Sequence, residues 1–241
     1  AAATSTSNGS CRIAYVDKST PNIADIYVQD CDGSNQRRVT EGRISTGHEP
    51  AWSPDGQRLV FDEQQGPESD TYVPSYIYIV NVDGSNRTQI IASDGPAEGN
   101  FPVWSPDGTR IAWQGGCDIM IIQPDGSRKI DILDHHRLSG VGDAETCVHR
   151  PMWSPDSQQI AFATFPLDAA WDPSIPGPFE YNFFIVNADG TGLIELDTFM
   201  LDVPPRGTPV EVAWSRDGKQ VAFEMTVDDK GTTKRYLMNS D

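Results

Sequence analysis

Ala51-Trp52-Ser53-Pro54-Asp55-Gly56, with the Leu59-Val60-Phe61 run behind it, recurs three more times in this 241-residue chain. The copies are Val103-Trp104-Ser105-Pro106-Asp107-Gly108, Met152-Trp153-Ser154-Pro155-Asp156-Ser157 and Ala213-Trp214-Ser215-Arg216-Asp217-Gly218. Each leads into a short apolar run: Ile111-Ala112-Trp113, Ile160-Ala161-Phe162 and Val221-Ala222-Phe223. Self-similarity at this spacing marks a repeat architecture rather than a set of unrelated strands.

A second signature interleaves with the first. Apolar runs ending in Asp-Gly occur at Ile26-Tyr27-Val28…Asp32-Gly33, Ile77-Tyr78-Ile79-Val80…Asp83-Gly84, Ile119-Met120-Ile121…Asp125-Gly126 and Phe183-Phe184-Ile185-Val186…Asp189-Gly190. A fifth, Tyr236-Leu237-Met238-Asn239-Ser240-Asp241, stops where the glycine would come. β-Branched and aromatic runs punctuated by Pro, Asp and Gly predict strands joined by tight turns, with Gly supplying the positive φ. Each unit then holds four strands, A to D: A runs into the Trp, Ser-Pro-Asp-Gly turns into B, a loop leads to C, and Asp-Gly turns into D. Successive tryptophans (Trp52, Trp104, Trp153, Trp214) stand 52, 49 and 61 positions apart. That exceeds the roughly 40–45 residues of a minimal four-stranded blade and predicts inserted loops. A four-stranded sheet cannot bury both faces alone, and radial packing of blades solves that problem. The fold expected is an all-β propeller of five four-stranded blades, with a six-bladed ring whose remainder is absent as the alternative. The tryptophans are expected to pack between neighbouring blades.

The alternation of Pro-x-Trp-Ser-Pro-Asp-Gly-x-x-Ile-Ala-Phe with Ile-Tyr-x-x-Asn-x-Asp-Gly-Ser-Asn resembles the TolB-like, or WD40-like, β-propeller family over residues 11–241. The resemblance implies the fold strongly and the function weakly, because the matching residues make turns and packing. Members of the family serve as periplasmic or extracellular protein-binding scaffolds, as gating domains of serine peptidases and occasionally as lyases. The first unit has B, C and D strands but no Trp-Ser-Pro-Asp-Gly, and the last lacks D. Residues 1–10 are expected to be an N-terminal tail or closure segment and a poor strand.

The formal net charge of −17 leaves no basic stripe to neutralise phosphate, which argues against nucleic acid and anionic membrane as partners. No apolar run approaches the ~20 residues that span a bilayer. No charged and apolar signal segment opens the chain, which reads as a mature or trimmed product.

Four cysteines complete the composition. Antiparallel pairing that sets Val16 opposite Ile26 also sets Cys11 opposite Cys31, within disulfide reach. Cys117, in a B–C loop, and Cys147, in a D–A link, fall at the same end of one blade. Disulfides Cys11–Cys31 and Cys117–Cys147 are expected, and with them an oxidising, periplasmic or extracellular compartment.

Strand alternation puts the tight turns at one end and the long connections at the other. The expected long loops are Asp62–Tyr76, Leu133–His149, Ala163–Asn182 and Leu196–Val210. Tyr72, Tyr76, Phe165, Trp171, Phe179, Tyr181, Phe199 and Met200 there are expected as anchors of a protein-binding face. His48 and His149 stand four residues before a blade tryptophan, with Asn100 at the equivalent place. Together with Glu49 and Arg150 they form an expected channel-mouth set. His135 and His136 fall in a neighbouring link. A metal held by His48 and His149 in a lyase-like enzyme is the alternative function, although no H-x-x-x-H spacing supports it. Carbohydrate stacking on Trp171 or Tyr181 is another. No cofactor is expected, with calcium left open. No Gly-x-Ser-x-Gly elbow occurs, so the chain is not the hydrolase portion of a propeller-containing peptidase. The reading reached is a non-enzymatic secreted or periplasmic propeller that binds another protein.

Overall fold

The computed structural model describes residues 2–5, 11–20, 23–41, 48–64, 75–91, 99–133, 146–166, 177–202, 211–227 and 232–240. All regular structure among them is strand, and no helix there is long and apolar enough to cross a membrane. The chain divides into two compact units. The first comprises residues 1–115 and 122–129, the second residues 116–121 and 130–241.

In the first unit, β1 (Ala2–Ser5), β2 (Arg12–Thr20), β3 (Ile23–Asp30) and β4 (Arg37–Arg38) form one antiparallel meander. β5 (Ala51–Trp52), β6 (Arg58–Gln64), β7 (Ser75–Asn81) and β8 (Thr88–Gln89) form the next, and β9 (Gly99–Trp104) pairs with β10 (Ile111–Gly115). In the second unit β11 (Asp118–Ile122) pairs with β12 (Ile130–Leu133). It also holds the meanders β13 (Thr146–Trp153), β14 (Gln159–Pro166), β15 (Phe179–Asn187), β16 (Ile194–Leu201) and β17 (Glu211–Trp214), β18 (Gln220–Thr226), β19 (Thr233–Asn239). Among the described residues the last holds A, B and C strands.

The repeated turns share one hydrogen-bond arrangement. At the first, Ser53 Oγ donates to Asp55 Oδ1 (2.6 Å) and accepts from Arg58 N (2.9 Å). Gln57 N donates to the same carboxylate oxygen (2.9 Å), and Gly56 N closes onto Ser53 O (2.8 Å). Ser105/Asp107, Ser154/Asp156 and Ser215/Asp217 repeat it. Where Gly is replaced by Ser157, the left-handed backbone persists at φ 62°.

Trp52, Trp104 and Trp214 pack as expected, each against the preceding meander. Arg12 lies 5.0 Å over the Trp52 ring, Arg58 lies 4.6 Å over Trp104, and Trp214 Nε1 donates to Met152 O (3.0 Å). The Asp-Gly glycines have a second purpose that a turn alone does not reveal. A Cβ at Gly84 would stand 3.0 Å from Val39 O, one at Gly126 3.5 Å from Ile90 O, and one at Gly190 2.7 Å from Ile132 O. These three C–D turns therefore close on the end of the preceding D strand. The interiors are apolar: Ile26, Leu59, Phe61 and Val80 bury one cluster in the first unit, and Tyr181, Phe183, Val221 and Phe223 another in the second. Each such side chain contributes about 1.5–3 kcal/mol of transfer free energy.

Five expectations need correction. Ala2–Ser5 is a strand, in register with Tyr15 to Arg12, because the free edge of β2 offers unpaired backbone groups. The connection expected over Ala163–Asn182 is strand at both ends, since β14 runs through Pro166 and β15 begins at Phe179. Likewise β16 covers Ile194–Leu201, β13 begins at Thr146, and Asp62, Glu63 and Gln64 belong to β6. Phe179, Tyr181, Phe183 and Ile185 alternate along β15 and bury one face in the core, which extends the sheet into sequence that reads as loop.

Candidate functional site

In the first unit the histidine singled out by its position before Trp52 is held by a buried carboxylate. His48 Nδ1 lies 3.0 Å from Asp62 Oδ2, and the Asp62 side chain is fully buried in β6. The imidazole also lies against Phe101, ring centroids 3.7 Å apart. Phe101 reaches it from a left-handed backbone (φ 53°) at the register shift between β9 and β10, next to Asn100, which faces Gln114. Ser75 Oγ ties the neighbouring strand by donating to Gly99 O (2.9 Å). With Nδ1–H donated to Asp62, a neutral His48 ring keeps Nε2 as its acceptor, the arrangement that suits a base or a ligand. Asp62 Oδ1 is buried with no hydrogen-bond partner among the described residues. Glu49 is half-buried beside His48. On the adjacent position of β6, Glu63 pairs with Arg87, whose guanidinium lies 4.3 Å over the Tyr78 ring.

The second unit repeats the backbone device with other chemistry. Arg150 adopts φ 48° at the register shift of β13, and its Nη1 lies 2.6 Å from Glu211 Oε1. His149 faces Ala163 and meets the edge of Phe165, centroids 5.6 Å apart. Cys147, opposite Phe165, is bonded to Cys117, with Cα atoms 4.2 Å apart. In the first unit Cys11 is bonded to Cys31, Cα atoms 5.4 Å apart, in the register expected. Both disulfides expected from the sequence are thus present, and they suit an oxidising compartment.

The aromatic residues expected on a binding face divide. Phe179 (5 % exposed) and Tyr181 (1 %) are core residues, because they sit on the inward positions of β15. Phe199 is half-buried between Phe183 and Tyr236, with centroids at 5.6 and 4.2 Å. Tyr76 is half-buried against the first unit's core, Phe165 half-buried against His149, and Met200 exposed. Tyr72, Trp171, His135 and His136 lie outside the described residues. Among the described residues no group of three or more His, Cys, Asp or Glu could hold a metal. Asp62 and the Glu63–Arg87 pair escaped sequence reading, although a charge directly after the apolar run Leu59-Val60-Phe61 was a visible signal.

The fold is that of the TolB-like β-propellers. The structure matches the putative TolB from Agrobacterium tumefaciens with a TM-score of 0.62 at 20% identity, covering 95% of this chain and 71% of that one. It matches a Mycobacterium tuberculosis puromycin-hydrolyzing peptidase with a TM-score of 0.59 at 15% identity, covering 97% of this chain and 36% of that one. In sequence the chain is similar to two dipeptidyl-peptidases 5. Identity is 26% over 220 residues with that of Porphyromonas gingivalis and 23% over 194 residues with that of Porphyromonas endodontalis. The matches cover 77% and 71% of this chain but 30% and 28% of those proteins, so the chain spans about three-tenths of the length of these relatives. No known family profile matches it. The expectation of a non-enzymatic scaffold is overturned by these relatives, which are peptidases by name and point to an enzyme. That expectation rests on an aromatic-bearing loop end and on the lack of a catalytic motif among these 241 residues.

Proposed function

We propose that this chain is the propeller domain of a peptidase acting on peptide N-termini, with the hydrolytic residues outside these 241. The observation that carries the reading is the sequence similarity to two dipeptidyl-peptidases over most of this chain and under a third of theirs. The absence of a Gly-x-Ser-x-Gly elbow from the 241 residues is compatible with that division of labour. The propeller's part is to govern which peptides reach the hydrolytic residues, and the two disulfides support a periplasmic or extracellular place of work.

The test compares protein purified from its native source with the 241-residue chain alone, using chromogenic dipeptidyl substrates and a fluorophosphonate label for activated serine. Release of dipeptides by the native protein, a labelled serine outside these residues and an inert 241-residue chain are expected. A native protein without dipeptide-releasing activity, or hydrolysis by the 241 residues themselves, would overturn the proposal.

A further inference from the structure

Six places after each blade tryptophan, at the start of strand B, stand Arg58, Arg110, Gln159 and Gln220. Arg12 holds the same place in the first meander, facing Asp30 as Arg58 faces Asn81. In the first unit these arginines do two things. Their guanidinium groups cover the tryptophan of the next meander, Arg12 over Trp52 at 5.0 Å and Arg58 over Trp104 at 4.6 Å. Arg12 Nη2 also donates to Gly56 O in the next meander's turn (2.5 Å). Second, they face the carboxyl of their own turn. Arg110 Nη2 lies 3.6 Å from Asp107 Oδ2, and at Asp55 the Ser53 hydroxyl holds the carboxyl down with Arg58 adding to the effect.

In the second unit the place belongs to Gln159, which faces Asn187. Its Nε2 lies 3.4 Å from Asn187 Oδ1, so the amide is engaged within its own sheet. Among the described residues no cation lies over the half-buried Trp214, the next tryptophan. The carboxyl of Asp156 is held down by the Ser154 hydroxyl and the Gln158 N–H, with no cation contributing. Both of those bonds go to Oδ1, and Oδ2 accepts none among the described residues. Between Gln159 and Gly218, the counterparts of Arg12 and Gly56, lies a cavity of about 270 Å³ that Asp156 and Arg216 also line.

We propose that this cavity binds the guanidinium of an arginine presented by another polypeptide, in the position that the first unit fills with its own arginine. A planar fork of five N–H donors fits the place: one edge meets Asp156 Oδ2, another meets Gly218 O, and the flat face turns toward Trp214. A lysine ammonium has no plane with which to do all three. Arg216 stands where the earlier turns carry Pro54, Pro106 and Pro155, and its side chain is exposed at the cavity's edge. That positive charge repels a bare cation and attracts a neighbouring carboxylate, so the ligand is an arginine beside an acidic residue. The site does not depend on the peptidase reading.

The probe is the peptide acetyl-Gly-Arg-Glu-Gly-amide, titrated into the 241-residue chain while the indole N–H resonance of Trp214 is followed by NMR. Its citrulline analogue, neutral and nearly the same shape, is the comparison. A saturable shift with the arginine peptide and none with the citrulline peptide is expected. Asp156→Asn weakens binding about threefold, and exchanging the peptide's glutamate for glutamine weakens it about twofold. Gln159→Arg puts the chain's own guanidinium in the cavity and abolishes binding. The other indole resonances report that each variant is folded, and Gln159→Arg keeps the test decisive where Asp156→Asn disturbs its turn. No shift, an equal shift with citrulline, or undiminished binding by Gln159→Arg overturns the site. Equal binding of the glutamine peptide overturns the part given to Arg216.

Discussion

Gly190 shows how one residue can satisfy two demands. Its φ of +82° belongs to the left-handed region, and a Cβ there would stand 2.7 Å from the backbone oxygen of Ile132. Gly33 has a nearly identical φ of +85° and open space around it. Gly33→Ala therefore costs about 1 kcal/mol, the left-handed penalty alone. Gly190→Ala costs roughly 1–3 kcal/mol more, because a backbone oxygen must give way. Urea midpoints of the two variants check this, and equal losses would refute the second demand. The sequence reveals both glycines as turn residues, and only coordinates separate them, since nothing local encodes the approach of the previous strand. His48 is the same case: its place before Trp52 is legible, its partner Asp62 is not, because that carboxylate stands 14 positions away on another strand.

At the scale of the element, the turns are electrostatic devices as well as chain reversals. Hydrogen bonds from a Ser or Thr hydroxyl, then from a backbone N–H, hold the carboxyls of Asp32, Asp83, Asp125, Asp156, Asp189 and Asp217 below the usual carboxylate range. At Asp55 the Ser53 hydroxyl outweighs desolvation. At Asp107 burial is the largest influence and acts upward, yet the bonds from Ser105 and Thr109 together lower the value. A carboxyl lowered on folding stabilises above its unfolded pKa of about 4, and that contribution disappears as pH falls through the folded value. The urea midpoint therefore holds steady from neutral pH to about 5 and drops below about 4. Asp55→Asn keeps an acceptor but cannot titrate, so part of that drop flattens in the variant. The turns were fully legible because their chemistry lies within six residues. The long strands β14 and β15 were not: Phe165, Phe179 and Tyr181 beside Pro and Gly have loop-like composition, and their period-2 alternation gains meaning only once a neighbouring sheet is there to bury it.

For the whole molecule, the repeats disclosed the architecture while the function stayed hidden, because the repeating residues make turns and inter-blade packing and no reacting group. The cysteines bridge these levels. Each compact unit holds one disulfide, Cys11–Cys31 across 20 residues and Cys117–Cys147 across 30. Loop-closure entropy alone assigns them about 3 and about 4 kcal/mol. Their contexts differ more than their loop lengths do. Cys11 and Cys31 prolong a ladder already in register from Arg12 and Asp30, and Cys31 N donates to Cys11 O at 3.0 Å, so much of that constraint survives reduction. Cys117 precedes β11 and Cys147 lies in β13, with the connection from β12 to β13 between them, and the backbone bond that joins the pair, Val148 N to Cys117 O, is long at 3.5 Å. Replacing Cys117 and Cys147 by alanine therefore lowers stability by about 4 kcal/mol, and the same change at Cys11 and Cys31 by at most about 3. Denaturant titrations of the two double variants rank them, with thiol titration of the unreduced, denatured chain as the control. Free thiols in that control, or a larger loss at Cys11 and Cys31, would mean that the bridges do not constrain the units in the way their registers indicate.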